Sequence, residues 1–316
     1  MAPPRSLLTL CEGLIDYAGL FPPAQLPMPE TLENYARYTM QDEAGGGWML
    51  GRLICPASRL HEATEHGRAL MPGTWATSGY REHADDLEPW RISAIIDIPL
   101  AAAVEAILAF NRNHAGEDQG LAGVDVIEMK APAPGEVDDA LEAIPEEIFP
   151  WLEVPAGGDF RGVVAALAGS EAGAKLRCGG VTPESVPPAA RVAQVIAACV
   201  AARVPLKATA GLHHPVRAEH PLTYEDQPPR AVMHGFVNVF LGGALLAAGE
   251  VDEAGLVAVL EETDARSFSF DDEGAAWRGR RVSTGRIAEI RRGFLAGFGS
   301  CSFEEPVGDL KGLGWL

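Results

Sequence analysis

Apolar runs of strand length recur through the middle of the chain: Leu50-Gly-Arg-Leu-Ile-Cys55, Ser93-Ala-Ile-Ile-Asp-Ile98, Val124-Asp-Val-Ile-Glu-Met-Lys130, Pro150-Trp-Leu-Glu-Val154, Ala174-Lys-Leu-Arg-Cys178 and Pro205-Leu-Lys-Ala-Thr-Ala-Gly211. Several carry a charged residue near their C-terminal end, and most run into Pro or Gly, so each reads as a buried strand stopped by a turn. Between them lie stretches with apolar residues at helical spacing, at 30–43, 58–70, 101–113, 137–144, 160–168, 188–202, 231–248 and 284–296. With Leu14–Ala18 as an opening strand and Arg266–Phe270 as a closing one, strand and helix alternate through nearly the whole chain. Such alternation predicts parallel strands joined by right-handed crossovers. The expected fold is an α/β single domain over residues 1–316, a (β/α)8 barrel of TIM type with its site at the C-terminal ends of the strands. An open doubly wound sheet is the alternative, but no Gly-x-Gly-x-x-Gly follows the first strand to support a dinucleotide-binding version.

Three segments break the rhythm. Residues 73–89 form a long linker before the third strand, and residues 215–229 are a polar, proline-bounded insertion after the seventh strand, placed where a lid would sit. The segment 298–316, with Phe303, Leu310 and Trp315-Leu316, reads as a tail that docks on the barrel bottom or on a second subunit, which makes a homodimer one expectation.

Composition narrows the function classes. A chain of 316 residues, 47% hydrophobic, suits one large barrel. Its net charge of −19 argues against nucleic-acid and anionic-membrane partners, which it would repel. The five cysteines (11, 55, 178, 199 and 301) are scattered without Cys-x-x-Cys spacing, which suggests reduced thiols rather than disulfides or a zinc knuckle. With no secretory signal pattern and no uninterrupted apolar stretch of membrane-spanning length, a soluble, cytoplasmic protein acting on a small molecule is expected.

Candidate chemistry follows from strand alternation, because residues two apart share a face. Glu128 and Lys130, Lys175 and Arg177, and Lys207 and Thr209 are such pairs, and the helix-facing side is apolar, so these charges belong in the interior or at the rim. Asp97, Glu153 and His213 would join them at the mouth. In one reading Lys207, flanked by the cations Lys175 or Arg177, loses its proton and condenses with a carbonyl, while Glu128, Glu153, Lys130 or His213 move protons and no cofactor is needed. In the other, Asp97, Glu128, Glu153 and His214 gather Mg²⁺ or Mn²⁺, and a lysine stabilises an enolate. A structural ion-pair network, an Asp97 turn cap and a His-His-Pro turn are the bland counterparts. Gly179-Gly180 after Arg177 could let backbone N–H groups approach an anion, or simply make a tight turn. Asp16 and Tyr17 could meet substrate at the end of the first strand, and His234 with Asn238 could face the site or cap a loop. Cys178 reads as an inert buried thiol. The contexts of His61, His66, His83 and His114 suggest solvated side chains.

Three segments, Asp16-Tyr-Ala-Gly-Leu-Phe-Pro-Pro-Ala24, Lys175-Leu-Arg-Cys-Gly-Gly180 and Lys207-Ala-Thr-Ala-Gly-Leu-His-His-Pro215, resemble those of an uncharacterised bacterial family, a likeness that brings no function with it. The Lys207-Ala-Thr-Ala-Gly211 run is also similar to the lysine strand of deoxyribose-phosphate aldolase, which implies a Schiff base on Lys207. Lys175-Leu-Arg-Cys-Gly-Gly180 is similar to that family's second lysine strand, though it comes before Lys207 rather than after it. The acid series Asp97, Glu128 and Glu153 resembles the metal-ligand layout of the enolase superfamily, without room for its N-terminal capping domain. The leading expectation is thus an aldolase-type lyase acting on a small oxygenated carbonyl or carboxylate compound. Metal-assisted enolisation, as an isomerase or lyase, is the alternative, and a noncatalytic small-acid-binding barrel is a third class.

Overall fold

The computed structural model describes residues 3–42, 45–74, 88–116, 119–155 and 158–316. Seven parallel strands, β1 (Ile15–Tyr17), β2 (Leu50–Pro56), β3 (Trp90–Ile95), β4 (Ala122–Lys130), β5 (Phe149–Glu153), β6 (Gly173–Arg177) and β7 (Leu206–Thr209), are joined by a closing strand, Leu295–Ser300, into an eight-stranded barrel. The closing strand pairs with β1 on one side and β7 on the other, so the sheet has no free edge. Alternate strand residues fill the interior, while Ile127, Leu152, Leu176 and their equivalents are buried against an outer ring of helices.

The middle strands fall where the apolar runs predict them, and the end of the barrel does not. Phe268–Phe270, expected to close the barrel, instead pairs antiparallel with Gly274–Trp277, which pairs in turn with Arg280–Ser283. The helix expected over 284–296 stops at Gly293, and the next residues enter the closing strand. Glycine explains the misreading: a Cβ on Gly297 would lie 2.7 Å from the Leu14 carbonyl oxygen, and one on Gly299 would lie 2.9 Å from Ile54 Cδ1. Close strand approach therefore excludes the β-branched residues that make a strand legible in sequence.

The expected docking tail thus begins inside the barrel wall and continues past the buried Phe303 as a helix, Glu304–Gly312, whose Val307 and Leu310 are buried. Beyond it Trp315 packs edge-on against Phe270, with ring centroids 5.1 Å apart. The insertion after β7 contributes an antiparallel pair, Ala218–Pro221 with Arg230–Met233, so the helix expected from 231 starts only at Phe236. Most of the linker at 73–89 lies outside the described residues. By length and composition Pro183–Ala202, at hydropathy 1.4, could cross a membrane. Its α-helical part covers only Ala189–Ala202, and it buries Val192, Val195, Ile196 and Cys199 within the barrel's helix layer.

Candidate active site

Parallel register brings the charged strand ends to one level. Lys207 lies beside Lys175, Lys175 beside Glu153, and Glu153 beside Lys130. From these positions a chain of ion pairs crosses the barrel. Lys207 Nζ donates to Asp16 Oδ2 and, at 2.6 Å, to Glu128 Oε1, which also accepts from Ser93 Oγ at 2.7 Å. Glu128 Oε2 lies 2.9 Å from Lys175 Nζ, an ion pair without hydrogen-bond alignment. Lys175 Nζ reaches Glu153 Oε2 at 2.9 Å, and Glu153 Oε1 accepts from Arg177 Nε at 2.9 Å. The order is Asp16, Lys207, Glu128, Lys175, Glu153, Arg177, with signs alternating throughout. Asp16 is itself fixed by the Arg52 backbone N–H at 2.6 Å.

This arrangement reverses one expectation. Lys207 was expected to be flanked by cations and to lose its proton, but its immediate partners are carboxylates. Burial alone would lower its pKa, and the charges of Asp16 and Glu128 outweigh burial and raise it. Conversely, burial pushes the Glu128 carboxyl up, but Lys207 and Lys175 bring it well below the usual carboxylate range. Glu153 is lowered in the same way, against burial, by Lys175 and Arg177.

Above this relay opens a cavity of about 940 Å³, a volume suited to a small-molecule ligand. Glu128, Glu153, Lys175, Arg177 and Thr209 line it, with Lys130 exposed at its rim. Lys207 and Asp16 stand behind its wall. Ala210 and Gly211, both left-handed at φ 57° and 70°, turn the chain from β7 toward His213 and His214, which also line it. Gly211 and Gly179 hold the two loops together, since a Cβ on Gly179 would come within 2.8 Å of Gly211 Cα. Gly179 and Gly180 border the cavity too, but a short 3-10 turn at Pro183–Ser185 separates them from the next α-helix at Ala189.

Other expected residues are held by structural contacts. Asp97 borders the cavity but turns its carboxylate to Ser58, accepting from its backbone N–H at 3.0 Å and from its hydroxyl, and so fixes the turn after β2. Asp97, Glu128, Glu153 and His214 all line this cavity, but among the described residues no three His, Cys, Asp or Glu side chains are grouped to hold a metal. Tyr17 points out of the barrel, accepting from Asn34 at 3.3 Å and stacking edge-on with Tyr38. His234 bonds the Pro187 carbonyl at 2.7 Å, and Asn238 accepts from the Arg217 N–H and donates to the carbonyls of Val259 and Glu262. Both anchor the insertion rather than face the cavity. His114 is buried between Thr64 and the Gly120 carbonyl instead of solvated, and His83 lies outside the described residues.

Sequence reasoning missed a second cluster on the cavity wall. Glu305 and Asp309, four apart on the helix Glu304–Gly312, share a face. Their carboxylates meet His213 Nδ1 at 2.7 Å and His214 Nδ1 at 2.6 Å. Cys301 Sγ lies 3.8 Å from His213 Nε2, and Tyr224 of the insertion donates to Glu305 Oε2 at 3.1 Å. His214 stacks on His220 with ring centroids 3.4 Å apart. The i, i+4 acid pair was the available signal, and only the closing strand that brings it under the His-His turn reveals its use.

No family model matches the chain, and no curated protein matches it. Among solved structures, the catalytic domain of a hyperthermophilic chitinase from Pyrococcus furiosus is similar at 11% identity and a TM-score of 0.35, covering 83% of this chain and 92% of that one.

Proposed function

We propose that this barrel is an enzyme acting on small, negatively charged carbonyl compounds, a lyase of the aldolase type, with its imine on Lys175 rather than Lys207. One observation carries the reading: the two interior lysines share Glu128, but only Lys175 lines the cavity, while Lys207 is sealed between Asp16 and Glu128. Imine chemistry needs an amine that substrate can reach and a neighbouring group that moves protons. Lys175, on the cavity wall, supplies the amine. Glu153 touches Lys175 Nζ and is placed to pass protons as carbinolamine and imine form. Arg177 and Lys130 give an anionic substrate its counter-charge at the rim.

The test is reductive trapping. The protein is incubated with pyruvate or glyceraldehyde 3-phosphate, reduced with borohydride and mapped by peptide mass spectrometry. The expected result is an adduct on the Lys175 peptide, absent from K175M and from samples lacking the carbonyl compound. An adduct on Lys207 would return the chemistry to the sealed lysine. Turnover of such compounds with no trapped lysine would remove the imine altogether.

A further inference from the structure

We infer that Cys301, His213 and Glu305 form a second reactive centre on the same cavity, a thiol nucleophile that adds reversibly to the carbonyl carbon of a small aldehyde. It builds on the proposed carbonyl substrate class but uses none of the lysine relay.

The geometry is that of a nucleophile, a base and an orienting acid. Glu305 Oε2 fixes His213 Nδ1 at 2.7 Å, which turns Nε2 toward Cys301 Sγ at 3.8 Å. Catalytic contacts of this kind are commonly long before a substrate binds. All three residues line the cavity, and His213 is only 8% exposed, so the pair works in a largely water-excluded wall. Tyr224 buttresses Glu305 with a 3.1 Å hydrogen bond, which couples the insertion to the centre. Burial alone would lower the imidazole's pKa, but its contacts with Cys301 and Glu305 raise it to about 10. Raised in this way, the imidazole can take the thiol proton on Nε2 while Glu305 holds Nδ1.

The other four cysteines make the contrast. All five cysteines are buried, but of the five Cys301 alone lines the cavity, and burial pushes the thiols of Cys11, Cys55, Cys178 and Cys199 up to about 12. None of them contacts a histidine among the described hydrogen bonds. Buried thiols in such settings are inert.

The chemical step balances without a co-reactant. The thiol proton passes to His213 Nε2, the sulfur lone pair forms an S–C bond to the aldehyde carbon as the C=O π bond opens, and the new alkoxide takes that proton from Nε2. The product is a hemithioacetal, and the reverse sequence releases the aldehyde and returns the proton through His213 to the sulfur. Beside an imine-forming lysine, such a thiol would hold the aldehyde fragment of a cleavage or condensation within the cavity.

The experiment is site-resolved alkylation of the intact protein with iodoacetamide, read by peptide mass spectrometry with and without glycolaldehyde. Cys301 is expected to react at least about 10-fold faster than the other four cysteines. Glycolaldehyde should slow it. E305Q, on a part-exposed helix face, should cut the rate several-fold, and H213N should do so more strongly, with near-UV circular dichroism confirming the fold. Alkylation of Cys301 no faster than that of Cys178, no protection by glycolaldehyde, or a rate indifferent to E305Q and H213N would each overturn the inference. Borohydride trapping on Lys175 reads the lysine proposal separately, so either can fail alone.

Discussion

Lys207 is the residue on which the interior turns, because removing its charge leaves Asp16 and Glu128 facing each other in a buried site. Breaking a buried pair from one side typically costs about 3–5 kcal/mol. K207M should therefore lose stability on that scale in urea unfolding, and adding D16N and E128Q to it should recover a large part of the loss. If K207M unfolds at the wild-type midpoint, the relay is not a stabilising unit. Glu128 sets the acid side. Its carboxyl is held below the ordinary value of 4.5, so its contribution is fully present above about pH 4.5 and drains away as pH falls further. Urea midpoints measured from about pH 7 down to 3 should decline over the acid range in wild type and decline less in E128Q. Strand periodicity made the inward faces of Glu128, Lys175 and Lys207 legible in the sequence. It could not show which charge sits beside which, since Asp16 reaches Lys207 across 191 residues of chain, and that neighbour reverses the expected protonation.

The helix Glu304–Gly312 shows the same limit one level up. Its apolar anchors and its acids face different duties, and the two can be separated. Leu310 is fully buried, so L310A should cost about 2–5 kcal/mol in thermal or urea unfolding. Asp309 is 44% exposed beside His214, so D309N should cost less than about 1 kcal/mol after solvent screening. A reversed order would mean that ion pairs, not packing, dock the helix. The contacts of His213 with Cys301 and Glu305 add a pH signature. The imidazole's value rises from 6.5 unfolded to about 10 folded, so this contribution is complete below about pH 6.5 and is lost as pH climbs toward 10. H213N should flatten the alkaline decline in stability that wild type shows over that window. Middle strands were readable because Val, Ile and Leu mark them, whereas Leu295-Ala-Gly-Phe-Gly-Ser300 pairs on both sides and carries no such mark. Alternation alone made Phe268–Phe270 look like the closing strand, and it belongs to a small antiparallel sheet.

At the scale of the whole molecule, the position of the closing strand decides what the C-terminal region is for. Were residues 298–316 a docking tail, the barrel would survive their loss with a bare patch. In the observed topology, cutting before Leu295 removes a strand that bonds both β1 and β7 and opens two unpaired edges. It also strips out Leu295 and Phe298, which are fully buried, and Glu305, which orients His213. Unpaired parallel edges have no independent stability and recruit other chains. Two truncations separate the views. A chain ending at Gly312 keeps the barrel and the helix but loses the packing of Trp315 on Phe268 and Phe270 and the backbone bonds of residues 313–315 to the helix end, so it should elute as wild type on size exclusion and melt cooperatively at a somewhat lower temperature. A chain ending at Gly293 should show no cooperative transition, little near-UV circular dichroism and a soluble fraction dominated by aggregate. Cooperative melting of that shorter chain would mean that seven strands can close without Leu295–Ser300. The cavity, which takes Gly299, Cys301 and Glu305 as part of its wall, would then have to be rebuilt from the remaining strands.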